Sequence, residues 1–597
     1  MVKPHSLQGF VVDKQLKQKP LLLCWSEHVP VSDVQDPLGL ALRGSSRLAS
    51  RLLFCITSIT PRARYFSFIP WCVQDWQIHE KGQRFDLGLR EAITLREKAL
   101  VLGCIAHHKG KSCPGGSLVG SESVTKWFSK GYPVVELRKL PFAKNPALDA
   151  YFNSLVNLGF FITEDEAIPS DEEEGTATQT FNDLELSSLG KQLAESYDSL
   201  TGRLESVRNL STAKRHCTVR SLSELGKRGG FCTLEEPTAP DRPLLRDIFF
   251  ARVKINGDSH RIRSRSLTLL LELCRQLSNE GWILNETTFN YAVYFGEIVS
   301  DEGERIEIKW PKPLLDIATR WRMFYFHHYM SVALEGMFAW LITQVSDRGL
   351  VGASVKELVK ALSSKIVSKT LSELLVLDLA KDFGKSTPSE LIQLFIGVFQ
   401  ELDSKTSVLL DKTLRPTNAS SEDRLERVIR KRIYLQSPTG LAVPLLLLGL
   451  TLARYTQWEG TNYGNWLAGA SNDPYLDLVP PVLTTGLTRR FGQWCQCQWR
   501  ILAEFVLTRY VVQQHQSMSF EKTAIGDRCL LQVDGSKIST RPNEVYEKIG
   551  MGNPRFDRAL RILKDLGLLA DIDNETIVVT EDGLRLLKEE RIRESRE

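Results

Sequence analysis

Long apolar runs are scarce in this chain of 597 residues. The longest, Leu441–Ala453 (LAVPLLLLGLTLA), is shorter than the ~20 residues a bilayer-spanning helix needs, so it reads as a buried helix and no membrane partner is expected. The opening MVKPHSLQGF has no apolar signal core, which predicts a cytoplasmic location. The eleven cysteines follow no repeated pairing pattern; in an unexported chain they read as reduced core thiols. A large excess of one charge is also missing. The 76 Lys and Arg against 72 Asp and Glu leave a net charge of +4, so a polyanionic partner has to be argued from local clusters. No Ser-His-Asp order, H-E-x-x-H or G-x-G-x-x-G motif is present. The chain is therefore expected to be non-enzymatic, with no cofactor and no metal.

Fragments of catalytic motifs fail on their context. Gly384–Thr387 spells GKST, but a phosphate loop needs glycine where Leu379 stands. Asp301, Glu307 and Lys309 have the letters of a metal-dependent nuclease, with two acids to hold a metal and a lysine to polarise water. Asp301 sits in an apparent hairpin turn, and an ordinary polar strand explains the rest; nuclease activity stays as an alternative. Cys104, His107, His108 and Cys113 are zinc-competent, but no second knuckle of the usual spacing follows. His327 and His328, inside an aromatic helix, read as core histidines, and Cys495 and Cys497 lack further ligands nearby.

What is present is an ordinary globular composition, 42% hydrophobic and 25% charged, enough for about three to five domains. The expected divisions are 1–94, an aromatic and arginine-bearing block; 95–200; 201–345, helical with a hairpin at Tyr291–Lys309; 346–500, helical; and 501–597. Leu314–Val345 reads as one long aromatic helix or a helix pair. Glu164–Glu174 is an acidic loop, and Gln457–Pro481 is loop.

Two regions share one order of signals. Ala147–Thr163 is an amphipathic helix broken by Gly159, followed by a short strand; Leu184–Tyr197 is a strand, a turn and a helix. Arg555–Ala570 is a helix broken by Gly567, Asp571–Thr580 a strand–turn–strand, and Glu581–Glu590 a closing helix. Leu155, Leu158 and Gly159 match Leu563, Leu566 and Gly567, and Gly190 matches Gly583. A helix that ends on glycine, then a hairpin, then a helix resembles a winged-helix domain. The expected fold class is thus mainly α with small β-wings, a multidomain helical protein with one winged helix at the C-terminus and one in the N-terminal half.

Arg555, Arg558, Arg561 and Lys564 recur every third residue on the C-terminal helix, and arginine forks suit phosphates and guanine edges. Lys214, Arg215 and Arg220 belong to one basic run, and Arg261, Arg263 and Arg265 to a second. All ten are candidate DNA contacts, because backbone charge dominates DNA affinity. Arg62 and Arg64 interrupt an aromatic run; they read either as an anion or partner-carboxylate site or as structural ion pairs.

Within Asp36–Trp71, Thr60, Arg62, Ala63, Arg64, Tyr65, Phe66, Phe68 and Trp71 form a T-x-R-A-R-Y block with trailing aromatics. This block resembles the opening of large bacterial proteins encoded beside helicases and phospholipase-D-like nucleases in anti-phage defence islands. The resemblance implies a subunit of a multi-gene antiviral system, of the Druantia or DISARM type, with a helicase or nuclease subunit as partner; it supplies no catalytic residues. The function expected from all this is a DNA-binding scaffold subunit. The alternative is a scaffold whose winged helices bind an ATPase or helicase.

Overall fold

The computed structural model describes residues 36–596 except 84–86, 117, 163–183, 213–214, 254–256, 300–303, 376–381, 391–421, 432–434, 438, 459–493, 495, 523–528, 547–548, 550–551 and 574–575. The acidic loop, the loop at 457–481 from residue 459 on, Lys214, Asp301, Leu379 and Cys495 lie outside the described residues.

The described chain is mainly helical, and its strands pair only in small antiparallel sheets, four of two strands and one of three. The helices that carry the argument are α1 (Tyr65–His79), α2 (Leu89–His107), α3 (Ala147–Asn157), α4 (Ser188–Thr201), α5 (Val219–Gly229), α6 (Arg242–Phe249), α7 (Asp258–Asn279), α8 (Leu315–Ser346), α9 (Thr439–Trp458), α10 (Phe556–Asp565) and α11 (Glu581–Arg596). The longest, α8, is a single helix of 32 residues. Every residue from Met323 to Ile342 is buried, as a helix apolar on all sides requires. It packs on α9, the apolar run of the sequence; a Cβ at Gly336 would lie 2.8 Å from Ile429 Cγ2 and 3.1 Å from Pro444 Cγ. No helix among the described residues is long and apolar enough to cross a membrane.

The two regions with matching signals fold alike. α3 ends on Gly159 (φ +71°) and α10 on Gly567 (φ +66°), the left-handed turn that glycine permits. The residue after each glycine donates back into its helix, Phe160 N to Leu155 O at 3.0 Å and Leu568 N to Leu563 O at 2.9 Å. Phe161–Ile162 then pairs with Glu185–Leu186, and Leu569–Asp571 with Ile577–Val579. The closing helices start the same way. Ser187 Oγ accepts from Gly190 N and donates to Gly159 O; Thr580 Oγ1 accepts from Gly583 N and donates to Gly567 O. Side chains at Gly190 and Gly583 are excluded for one shared reason: a Cβ would meet the carbonyl oxygen of Phe160 at 2.3 Å or of Leu568 at 2.4 Å.

One expectation needs correction. The expected hairpin Tyr291–Lys309 pairs only over Glu297–Val299 and Arg305–Glu307; Tyr291–Phe295 is a wide helical turn ending at Gly296, with Tyr294 packed edge-on against Tyr329 of α8. Phe383–Lys385 is a short turn capped by the Asp382 carboxylate, with none of the geometry of a phosphate loop. His327 and His328 are core residues as expected: Ser45 Oγ and His327 Nδ1 are 3.0 Å apart, and His328 Nε2 is 2.9 Å from the Glu426 carboxylate.

Candidate site at the arginine junction

The T-x-R-A-R-Y block lies where the first residues of the described chain meet both its middle and its end. Arg62 and Arg64 are fully buried at the start of α1. Arg62 Nε donates to Asp565 Oδ2 at 3.0 Å, and the same oxygen accepts from Ala63 N at 2.9 Å. Arg62 Nη1 donates to Pro114 O and Gly116 O, and the Tyr151 hydroxyl bridges the backbone N–H and C=O of Arg62. Arg64 holds Asp241 with two donors, Nε at 3.2 Å and Nη2 at 2.8 Å, and gives Nη1 to Gly230 O and Thr233 Oγ1. Burial works against both guanidinium charges, but Asp565 and Asp241 outweigh it and raise both pKa values above the ordinary arginine range. Of the two readings of this pair, the structural ion pairs hold; the anion or partner-carboxylate reading is corrected, because both side chains are sealed inside the fold on Asp565 and Asp241.

The other basic candidates divide in the same way. On α10, Arg555 donates to Ile56 O at 2.8 Å and to Ser50 Oγ at 2.6 Å, and burial lowers its pKa to about 10. Arg558 donates to Ser58 O, Arg561 holds Asp565 at 2.6 Å and also Glu235, and Lys564 holds Asp571 at 2.6 Å. This corrects the expected row of free donors: the cations turn onto Ser50–Ser58, Glu235, Asp565 and the strand Leu569–Asp571. Arg215 is buried against Glu80 at 3.0 Å, in one network with Arg96 and Asp75. Arg263 is buried as the cap of α6, donating to Ile248 O at 2.7 Å and to Phe249 O at 3.1 Å, with its pKa pulled down to about 10 by burial. Arg215 and Arg263 therefore cannot reach a phosphate. Arg220 and Arg261 are exposed, and Arg265 is half-buried. Glu307 and Lys309 are exposed on or just after a strand, and Asp301, the other acid of the nuclease alternative, lies outside the described residues.

Next to Arg62 the fold assembles a group that local spacing did not reveal. α2 and α5 touch backbone to backbone: a Cβ at Gly226 would lie 2.1 Å from Gly103 O, and one at Gly103 would lie 2.4 Å from Leu222 O. α5 stops at Gly229, and the chain turns into Phe231–Glu235, which returns Cys232 to the end of α2. From the other side, the loop after α2 turns through Lys109, Gly110, Gly115 and Gly116, all at positive φ, and folds Cys113 inward. Cys104 and Cys113 are buried, and Cys232 is half-buried. His108 Nε2 lies 3.3 Å from Cys232 Sγ, and the ligand atoms of His107, His108 and Cys232 all fall within 4.8 Å of one another. Hydrogen bonds from Cys104 and Cys232 are the main cause holding the Cys113 thiol far below its ordinary range; burial opposes, and Arg62 and His108 assist. Cys104 and Cys232 are pushed up in turn, first by their bonds to Cys113 and then by burial. Cys232, 119 positions beyond Cys113 in the numbering, is brought beside His108 by the fold. No protein-family model, curated protein or solved structure matches the chain.

Proposed function

We propose that this chain is a non-catalytic scaffold subunit of a multi-component assembly, and that its two helix–wing–helix units are winged helices used for protein contact instead of DNA reading. One observation carries this: all four cations of α10 are engaged within the chain, by Ser50, Ile56, Ser58, Glu235, Asp565 and Asp571. The matching helix of the first unit, α3, contains no lysine or arginine, and its Asp149 pairs with Arg90. A winged helix that reads DNA needs free donors on that face. The resemblance of Asp36–Trp71 to defence-island proteins supports an antiviral setting, with a helicase or nuclease subunit as the docked partner.

DNA contact keeps a narrower footing as a second reading. Arg220 and Lys227 are exposed on α5. Fluorescence anisotropy with labelled duplex and single-stranded oligonucleotides, titrated over salt, separates the two. Under the scaffold reading, Arg558→Glu leaves any DNA affinity unchanged, whereas Arg555→Glu and Arg561→Glu lower the melting temperature. A large loss of DNA affinity in Arg558→Glu with an unchanged melting temperature would overturn it. A loss confined to Arg220→Glu with Lys227→Glu would move DNA contact to α5.

A further inference from the structure

We propose that His107, His108 and Cys232 bind one zinc ion, with water completing its tetrahedron, and so tie the end of α2 to the Phe231–Glu235 turn. The ligand atoms of the two imidazoles and the thiol all lie within 4.8 Å of one another. The pair His108 Nε2 and Cys232 Sγ is 3.3 Å apart. Tetrahedral Zn–N and Zn–S bonds set that edge at about 3.6 Å and the nitrogen–nitrogen edge at about 3.4 Å. The two edges to His107 therefore have at most about 1.4 Å to close, within the swing of a half-buried imidazole. A thiolate disfavours hard cations such as magnesium and calcium, and with two imidazoles beside it the set suits zinc. All three side chains are only half-buried, which gives water access to the fourth position.

Neighbouring residues on a regular helix point about 100° apart and do not face a common partner. His107 and His108 converge because α2 ends between them. His107 is the last residue of the helix, and His108 is its cap at φ −87° and ψ 15°. Gly110 N then donates to Ile105 O at 2.8 Å and Lys109 N to Ala106 O at 3.1 Å, with Lys109 left-handed at φ +55°. This paired closure pins the backbone of both histidines, and their ring centroids stand 4.6 Å apart. The opposite donor is held as firmly. Cys232 lies between Phe231 and Thr233, both buried, and Thr233 Oγ1 donates to Gly230 O at 2.8 Å. Arg64 grips the same turn through Gly230 O and Thr233 Oγ1. Ligands carried on supports of this kind keep their geometry for the ion. Zinc at this point would also brace Glu235, the partner of Arg561.

The full chain, purified under reducing conditions without chelator, is assayed for metal by plasma emission, and zinc X-ray absorption and cobalt substitution are read on the wild-type chain. The expected result is one zinc per chain, with one sulfur neighbour at about 2.3 Å and three nitrogen or oxygen neighbours at about 2.0 Å. The cobalt form shows a sulfur charge-transfer band, which Cys232→Ala lacks. His107→Ala and His108→Ala each weaken zinc binding by more than about tenfold, the least that losing even an outer contact costs. Cys113→Ser keeps both the zinc and the band. X-ray absorption needs no variant, so a misfolded mutant cannot obscure the outcome. A chain without stoichiometric zinc after purification in added zinc overturns the proposal and leaves His108 and Cys232 as a hydrogen-bonded pair. So does a metal with no sulfur neighbour or with two or more, or a His107→Ala variant that binds zinc as the wild type does.

Discussion

Replacing Asp565 with alanine tests the arginine junction most directly. Its carboxylate is fully buried and accepts from Arg62 Nε, Ala63 N, Arg561 Nε and Arg561 Nη2, at 3.0, 2.9, 2.8 and 2.6 Å. Removing it leaves the Arg62 charge sealed from water with only carbonyl partners, while Arg561 keeps Glu235. Breaking a buried pair from one side typically costs about 3–5 kcal/mol. That corresponds to amide exchange through local opening faster by roughly two to four orders of magnitude. The readout is hydrogen exchange by mass spectrometry on peptides covering Thr60–Trp71 and Phe556–Leu566. Both should lose protection together, although about 500 residues separate them in the chain. The double variant Arg62→Met with Asp565→Leu should recover part of the loss, because apolar volume can replace a buried pair at little cost. If Asp565→Ala leaves exchange in both peptides near wild type, or the double variant equals the plain sum of the singles, the reasoning fails.

Other outcomes follow from the same contacts. Gly190→Ala and Gly583→Ala should each destabilise by about 1–3 kcal/mol, because the added methyl meets a backbone oxygen; unchanged thermal melts would show that the closing helices can shift. Burial, helped by His328, lowers the His327 pKa to about 3, so the unfolded chain takes up its proton first as pH falls. The stability that neutral His327 contributes is therefore intact above about pH 6.5 and lost progressively toward pH 3, at up to about 1.4 kcal/mol per pH unit. Denaturant titrations at pH 7 and pH 5 should show a smaller acid loss in His327→Asn than in wild type, and equal losses would refute the assignment. Arg263→Met should destabilise the chain without touching DNA affinity, since this arginine caps α6 from inside; reduced DNA binding with full stability would contradict that placement.

Local periodicity made much of this protein legible. A long apolar run became α9, an aromatic stretch became α8, and two glycine-terminated helices followed by hairpins became the paired units. These signals are read within about ten residues, where helix period, strand alternation and the positive φ of glycine act directly. Charge was the part that misled. Spacing of three grouped Arg555, Arg558, Arg561 and Lys564 as one expected face, but Arg555 stands before the helix at a positive φ, and no local rule says what these cations meet. Asp565, Glu235 and the carbonyls at Ile56 and Ser58 decide it, and all but Asp565 come from distant segments. The cluster at the end of α2 shows the same divide. The sequence by itself determined that Cys104, His108 and Cys113 sit near one helix end. Only the tertiary structure, through the glycine contact between α2 and α5, brought Cys232 to His108, because backbone approach between remote helices depends on packing and leaves no mark in spacing.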